Sequence, residues 1–90
     1  MISVGDFVVV DPSYFQRYRR TCLGLRPSPD VLVHDDSSPG LAYPGDAMLV
    51  LRIEDITPIR YGDKLVKSDI CVLHPHGFMG WIFESNLVTL

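Results

Sequence analysis

Short apolar segments separated by turn-forming residues recur along the whole chain. The segments GDFVVVD, PGDAMLVLRIED, KLVKSDICVLH, GFMGWIF and LVTL are rich in Val, Ile and Leu, and Gly, Pro and Asp stand between them. Runs of this length and composition are typical of β-strands, and their frequent interruption is typical of a small β domain. The pattern predicts a mainly β fold with five strands, and the 90 residues suffice for a single domain, 1–90.

The second and third segments carry information about side-chain orientation. In PGDAMLVLRIED, the apolar residues Leu49, Leu51 and Ile53 are two positions apart. Because neighbouring side chains of a strand point to opposite faces, we expect these three to face the core. In KLVKSDICVLH, the polar stretch 67–69 predicts a break or bulge. Between the two segments, DITPIRYGDK contains proline and a Gly-Asp pair, which predict a turn-rich connection.

The motif HPHG, which begins at His74, predicts a tight turn between two strands. Proline at the second position fixes φ and glycine at the fourth relieves the exit, as in a type I turn. The histidines then need no chemical role, and we expect them to be solvated. A metal site formed by Cys71, His74 and His76 is the alternative, but a zinc site uses about four ligands at recognisable spacing. We therefore predict no metal and no other cofactor.

A long insertion, residues 11–44, separates the first two strands. Its beginning, DPSYFQRYRRTCLG, predicts a helix of two to three turns, because Asp11 can cap it, Pro12 suits its first position and Gly24 can end it. Beyond the helix, VLVH predicts a small edge strand. The stretch DDSSPGLAYPGD predicts a solvent-exposed loop.

The charge balance argues against a general phosphate-binding surface. The chain has 11 acidic and 8 basic residues and a net charge of −3, whereas nucleic-acid-binding modules usually carry a basic excess. The two thiols, Cys22 and Cys71, predict no disulfide framework. The N-terminus has no basic leader, and no apolar run approaches the ~20 residues of a membrane helix. We expect a soluble protein without membrane contact, in the cytoplasm or in a virus particle assembled there.

The C-terminal segment GFMGWIFESNLVTL resembles the closing segment of SH3 domains. It repeats that family's glycine pair, the aromatic and aliphatic residues that follow it and, after one extra residue, the family's Ser, Asn and Val. The matching residues are Gly77, Gly80, Trp81, Ile82, Ser85, Asn86 and Val88. The segment PGDAMLVL is similar to the family's second strand. The resemblance implies an SH3-like five-stranded barrel with a short helix in the long insertion after the first strand.

The residues with which SH3 domains bind proline-rich peptides are not repeated. The family's groove proline is replaced by Phe83 or Glu84, its tyrosine by Leu87, and no tryptophan stands near Lys64–Lys67. The first strand also lacks the family's Ala-Leu-Tyr-Asp-Tyr run. The resemblance therefore implies a barrel that does not read such peptides. Bacterial, phage and organellar members of this fold commonly serve as assembly or docking modules, and this is the class implied.

Two groups of residues are candidates for binding a partner. On the strand GFMGWIF, three alternate residues from Met79 to Phe83 form a stripe on one face, and a barrel interior can hold only one of the strand's two faces. If the stripe lies outside, either the helical insertion or a partner covers it. The helical stretch SYFQRYRR mixes tyrosine with arginine, both of which are enriched at interface hot spots. Alternatively, its aromatic residues pack the helix on the barrel while the arginines stay solvated. The candidate residues are Tyr14, Arg17, Tyr18, Arg19, Arg20, Met79, Trp81 and Phe83.

These features predict a non-enzymatic docking or assembly module that binds a protein partner or forms a homo-oligomer. No nucleophile motif is present, because Cys71 and His74, three residues apart on one strand, point to opposite faces. A phage or other virus particle is a plausible setting. One alternative is a nucleic-acid-associated small barrel that uses the Arg17–Arg20 helix. Another is a minor enzyme subunit or a metal protein.

Overall fold

The computed structural model describes residues 1–29 and 38–90 and shows a mainly β chain. In chain order the elements are β1 (Phe7–Val10), α1 (Pro12–Tyr18), β2 (Leu23–Gly24), β3 (Leu41–Ala42), β4 (Met48–Tyr61), β5 (Lys64–Leu73), β6 (Met79–Phe83), a 3₁₀ turn (Glu84–Asn86) and β7 (Leu87–Thr89). The mainly β prediction is confirmed. The five apolar segments of the sequence correspond to β1, β4, β5, β6 and β7.

These five strands form one antiparallel sheet in the order β6-β5-β4-β1-β7, and β2 pairs with β3 in a separate two-stranded sheet. Within the described residues no strand pairing joins β6 to β7, so the hydrogen-bonded sheet is open rather than closed into a barrel. The inner face of the sheet carries most of the core, whose fully buried members include Val8, Val10, Met48, Val50, Ile70, Val72 and Ile82.

The inner face of β4 differs from the prediction because the strand contains a bulge. Val50 lies opposite Val72 and Arg52 lies opposite Cys71, so Leu51 has no partner of its own. An extra residue changes the phase of the alternation. Before it, Met48 and Val50 are buried and Leu49 is only half-buried, whereas after it Ile53 packs against the core. The prediction is correct for Ile53 and wrong for Leu49 and Leu51.

A second irregularity lies opposite the polar stretch of β5, but in the other strand. Asp55 lies opposite Ser68 and Ile59 opposite Val66, so residues 56–58 of β4 face Lys67 alone. Pro58 cannot donate a ladder hydrogen bond, which is why such a residue is found at bulges. The prediction of a break or bulge at 67–69 is therefore correct in placing an irregularity there, but β5 is continuous and the extra residues belong to β4. The predicted turn-rich connection is wrong for residues 55–61, which belong to β4. It is correct for Gly62 and Asp63, which join β4 to β5.

The helix begins as predicted and ends earlier. The Asp11 carboxylate accepts a hydrogen bond from the Ser13 N–H at 3.0 Å, and Pro12 occupies the first turn. The helix ends at Tyr18, where Arg19 adopts a left-handed conformation with φ 51°. Gly24, the predicted end, belongs instead to β2, which pairs with β3.

The predicted loop DDSSPGLAYPGD is partly a strand, because Leu41 and Ala42 form β3. The expectation of a solvent-exposed loop is therefore wrong for these two residues, and Ala42 is fully buried. The predicted edge strand VLVH lies outside the described residues.

The insertion is attached to the free edge of β6 by two neighbouring residues. Arg26 and Trp81 exchange backbone hydrogen bonds of 3.0 and 2.9 Å as an isolated antiparallel bridge. The adjacent Leu25 is fully buried and joins the core cluster. It packs on Gly80 so closely that a Cβ at this glycine would lie 2.5 Å from the Leu25 Cβ. A glycine on β6 is therefore what allows the insertion to approach the sheet.

We predict that Gly80→Ala lowers the free energy of unfolding by roughly 1–3 kcal/mol, because the new methyl group overpacks against Leu25. Urea denaturation measures the change. Met79→Ala, on the exposed neighbouring position of the same strand, is the matched control and should change stability much less. Equal effects of the two substitutions would show that Leu25 does not pack on Gly80.

Candidate protein-binding surfaces

A cleft of about 240 Å³ opens between the helical part of the insertion and the sheet. One wall carries Tyr14, Tyr18 and Arg20, and Trp81 and Phe83 of β6 line another part. Its other lining residues are Leu23, Gly24, Arg26, Lys64, Val66, Ile82, Ser85 and Asn86. The cleft thus combines residues from segments that are far apart in sequence.

The aromatic side chains of α1 form the helical wall. The Tyr14 ring lies 5.4 Å from the Phe15 ring, edge to face, and 5.0 Å from the Tyr18 ring. Tyr14 and Phe15 also pack against the hydrophobic core, while 45% of Tyr18 is exposed. Two of the three aromatic residues, Tyr14 and Phe15, therefore pack the helix onto the core, as in the alternative interpretation of SYFQRYRR. Tyr18 is partly exposed to solvent.

The residue Trp81 lies on the outer side of the sheet, yet it is only 8% exposed. The insertion bridges its backbone through Arg26, and the Arg52 guanidinium lies 5.8 Å from its ring centroid. The sequence left open whether the insertion or a partner covers the stripe on β6. For Trp81 the covering residues belong to the chain itself.

A buried ion pair joins the insertion to β5. The Arg26 guanidinium donates to the Asp69 carboxylate, and the two side chains are 2% and 0% exposed. The guanidinium also lies 4.0 Å from the centroid of the Phe83 ring. Asp69 is the register partner of Phe83, so this contact lies on the outer side of the sheet. Here the insertion covers that side.

Burial dominates the electrostatics of this pair. It raises the pKa of the Asp69 carboxyl above its usual range, and the Arg26 hydrogen bond opposes that shift. The second carboxylate oxygen, Oδ2, has no hydrogen-bond partner within the part of the chain that the structure describes. Sequence reasoning missed this pair. The sequence feature that pointed to this pair was Asp69, an acidic residue directly before the buried residues of β5.

The structure places the predicted partner-binding residues in different positions. Tyr14, Tyr18, Arg20, Trp81 and Phe83 meet at the cleft. The other three predicted residues, Arg17, Arg19 and Met79, are exposed and do not line it. Met79 belongs instead to a second surface.

This second surface is an outer apolar row that crosses β1, β4, β5 and β6 and ends at the residue after β7. Phe7 pairs with Leu49, Leu49 with Leu73, and Leu73 with Met79. At the other end, the Leu90 N–H donates to the Phe7 carbonyl at 3.0 Å. Register partners project from the same face of a sheet, so these five side chains form one row, roughly 19 Å long at about 4.8 Å per strand. Sequence reasoning missed it, because a row depends on strand register.

The row is open to solvent. Phe7 is 54% exposed, Met79 57% and Leu90 75%, and Leu49 and Leu73 are half-buried. Each strand residue of the row follows or precedes a fully buried neighbour such as Val8, Met48 or Val72, which shows that it points away from the core. None of the five side chains of the row carries a charge.

The histidine turn has a structural role that differs from the prediction. The His74 carbonyl accepts from the Gly77 N–H at 2.9 Å, which confirms the turn. His74 itself is buried rather than solvated. Its ring stacks on Phe78 at 4.3 Å, and its Nε2 lies 2.7 Å from an Asp46 carboxylate oxygen. Because the His76 N–H donates to Nδ1 at 3.1 Å, the neutral ring carries its proton on Nε2 and donates it to Asp46.

The side chains at the turn are already engaged in contacts within the chain. Both ring nitrogens of His74 are engaged, and burial raises the pKa of the nearby Cys71 thiol. In residues 1–29 and 38–90 no group of three or more His, Cys, Asp or Glu side chains is placed to hold a metal ion.

Comparison with protein-family models, curated proteins and solved structures finds no match to the chain. Among the described residues no helix has the length and apolar character needed to cross a membrane.

We predict that Arg26→Met alone costs about 3–5 kcal/mol of unfolding free energy, because it leaves the Asp69 carboxyl buried without its cation. The double variant Arg26→Met/Asp69→Leu should recover most of this loss, since it removes both charges and keeps apolar volume. Urea denaturation compares the single and double variants. If the double variant is as unstable as the sum of the single variants, the two residues do not form a buried pair.

We predict that the Asp46 carboxyl titrates below its ordinary pKa of 3.8. Burial acts to raise this pKa, but the hydrogen bonds from the Tyr43 N–H and the His74 ring outweigh it and lower it. The unfolded chain then binds this proton more tightly, so Asp46 contributes stability above its unfolded-state pKa that is lost as the pH falls through the folded-state value.

The ¹³C shift of the Asp46 carboxyl carbon against pH measures this pKa. His74→Phe keeps a ring over Phe78 and removes the Nε2–H donor, so the midpoint should move upward. An unchanged midpoint would show that His74 does not donate to Asp46.

Proposed function

We propose that the chain is a non-enzymatic protein-docking or assembly module built on an SH3-like barrel. Two features support the barrel. The sheet order β6-β5-β4-β1-β7 brings the last strand beside the first, as small barrels require, and the glycine pair with its aromatic and aliphatic neighbours stands at β6. The open ends of the sheet, β6 and β7, are linked along the chain by a single 3₁₀ turn.

The outer apolar row is the observation that carries the docking proposal. A small chain has a limited supply of large apolar side chains, and five of them placed in one row on the outside leave much of their surface in contact with water in an isolated monomer. Exposed apolar patches of this kind mark sites of protein association. Cross-strand alignment also makes the row a rigid, continuous contact surface rather than a set of separate residues.

A second copy of the chain is the partner that we test first. The chain has a net charge of −3, and a row of uncharged side chains lets two copies meet without placing charged side chains opposite each other. Burying the row on both partners would remove roughly 1,000 Å² of surface, which lies at the lower end of specific interfaces. Association would therefore be weak alone and strengthened in a larger assembly, for example a phage or other virus particle assembled in the cytoplasm.

The alternative proposal is a nucleic-acid-associated barrel. It is favoured by the exposure of Arg17, Arg19 and Arg20, which follow one another closely at the end of α1. Phosphate contacts weaken steeply with salt, whereas burial of the apolar row does not. Any RNA or DNA binding that falls by orders of magnitude between 50 and 200 mM salt would support this alternative.

We predict that the purified chain self-associates in native mass spectrometry and sedimentation at concentrations on the order of 100 μM, as a weak interface requires. The double variant Phe7→Lys/Met79→Lys should be monomeric, because it places charges in the row. The matched control Leu41→Lys/Leu65→Lys adds the same charge at two exposed leucines outside the row, 43% and 44% exposed, and should still associate.

The same variants test binding to another protein. After capture from an extract of its own cells, the unmodified chain and the control should retain the same partner, and the row variant should lose it. A chain that is strictly monomeric and retains no partner would contradict the docking proposal.

A further inference from the structure

The cleft has a charge composition unlike that of the chain. Of its lining residues within 1–29 and 38–90, Arg20, Arg26 and Lys64 are cationic, and none is an Asp or a Glu. The whole chain, in contrast, carries a net charge of −3. The described lining of the cleft is therefore more cationic than the chain as a whole.

Two of these three cations remain available to a ligand. Arg26 is neutralised by the buried Asp69 carboxylate. Lys64 donates from Nζ to the Ser85 backbone carbonyl at 3.0 Å, which positions the ammonium group and leaves further N–H donors. Among the described residues, neither Arg20 nor Lys64 forms an ion pair. A backbone carbonyl orients an ammonium group without cancelling its charge.

The remaining lining is aromatic and apolar. Tyr14, Tyr18, Trp81 and Phe83 contribute ring surface, and Val66 is among the aliphatic residues beneath. The volume of about 240 Å³ exceeds the roughly 150 Å³ that accommodates a benzene molecule in a protein cavity. The cleft therefore has room for one large apolar side chain and adjacent backbone.

We propose that the cleft binds an extended segment of another protein that inserts one apolar or aromatic side chain between α1 and β6 and places carboxylates beside Arg20 and Lys64. Complementary charge selects the segment, and ring surface supplies contact area with little loss of side-chain freedom. This site is distinct from the outer apolar row, and its occupancy does not require self-association.

A peptide fits the charge distribution better than a nucleic acid does. A phosphodiester backbone carries a charge at every nucleotide and needs a continuous basic track. Here the cationic positions are interrupted, since Asp63 directly precedes Lys64 and Glu84 directly precedes Ser85. Asp11, whose carboxylate accepts from the Ser13 N–H, lies within electrostatic range of Lys64. A peptide with one or two carboxylates can bind without approaching these acidic residues, whereas the many phosphates of a nucleic acid would be repelled by them.

A random octapeptide display library, selected against the full chain, tests the proposal. The expected result is enrichment of sequences in which Asp or Glu flanks a large apolar residue. Trp81 is the sole tryptophan of the chain and lines the cleft, so its fluorescence reports the binding of a synthetic consensus peptide directly.

The variant Arg20→Gln/Lys64→Gln should weaken binding of the consensus peptide about tenfold, because two charge-assisted contacts are lost. The control Arg60→Gln/Lys67→Gln removes the same charge from exposed positions of β4 and β5 that do not line the cleft, and should bind like the unmodified chain. A consensus with Asn and Gln in place of Asp and Glu should lose a similar factor.

Three results would overturn the proposal. The library could select no sequence, it could select peptides without acidic residues, or single-stranded oligodeoxythymidine could bind the cleft more tightly than any selected peptide. Each leaves the docking proposal intact, because the Phe7→Lys/Met79→Lys variant tests a different surface. Conversely, a chain that is monomeric but still binds acidic peptides would support the cleft proposal and contradict self-association through the outer apolar row.

Discussion

The attachment of the long insertion to the sheet is the contact on which the remaining architecture depends. Arg26 forms a backbone bridge with Trp81, stacks on Phe83 and pairs with the buried Asp69. Taking both charges out of water is costly, so the pair stabilises the fold only while it is complete. Because either charge buried without the other is destabilising, positions of the insertion that separate Arg26 from Asp69 are disfavoured.

Leu25 and Arg26 act on opposite sides of the sheet. Leu25 enters the core over Gly80, and Arg26 crosses the outer side toward Asp69. The insertion is thus held from both sides of the β6 edge. This attachment covers Trp81 and brings α1 to the position where its tyrosines and the aromatic residues of β6 enclose a cleft. The outer row lies beyond the insertion and remains uncovered.

The sequence predicted what depends on local rules. The apolar segments gave five strands, Asp11 and Pro12 gave the start of the helix, and the HPHG motif gave a turn, because each depends on neighbouring residues. The helix end was wrong because pairing of β2 with β3 takes Leu23 and Gly24 away from it. Local propensity yields there to a contact made much later in the chain.

What the sequence did not predict depends on register and on distant partners. One unpaired residue, Leu51, reverses the alternation of β4 and with it the assignment of the inner face. The Arg26 and Asp69 side chains are 43 positions apart, and His74 and Asp46 are 28 apart. No periodicity in the chain encodes these pairs. The outer row follows from strand register, and the cleft follows from the distant contacts of the insertion. Sequence analysis could therefore identify several cleft residues but not their arrangement.

Amide hydrogen exchange at Arg26 and Trp81 tests most directly whether the insertion is docked on β6. Each of these two backbone N–H groups donates to the carbonyl of the other residue across the bridge. If the insertion is an integral part of the fold, both amides exchange only through global unfolding, as slowly as the amide of the core residue Val72. Rapid exchange at Arg26 and Trp81, while Val72 stays protected, would show that the insertion is detached and would contradict this account.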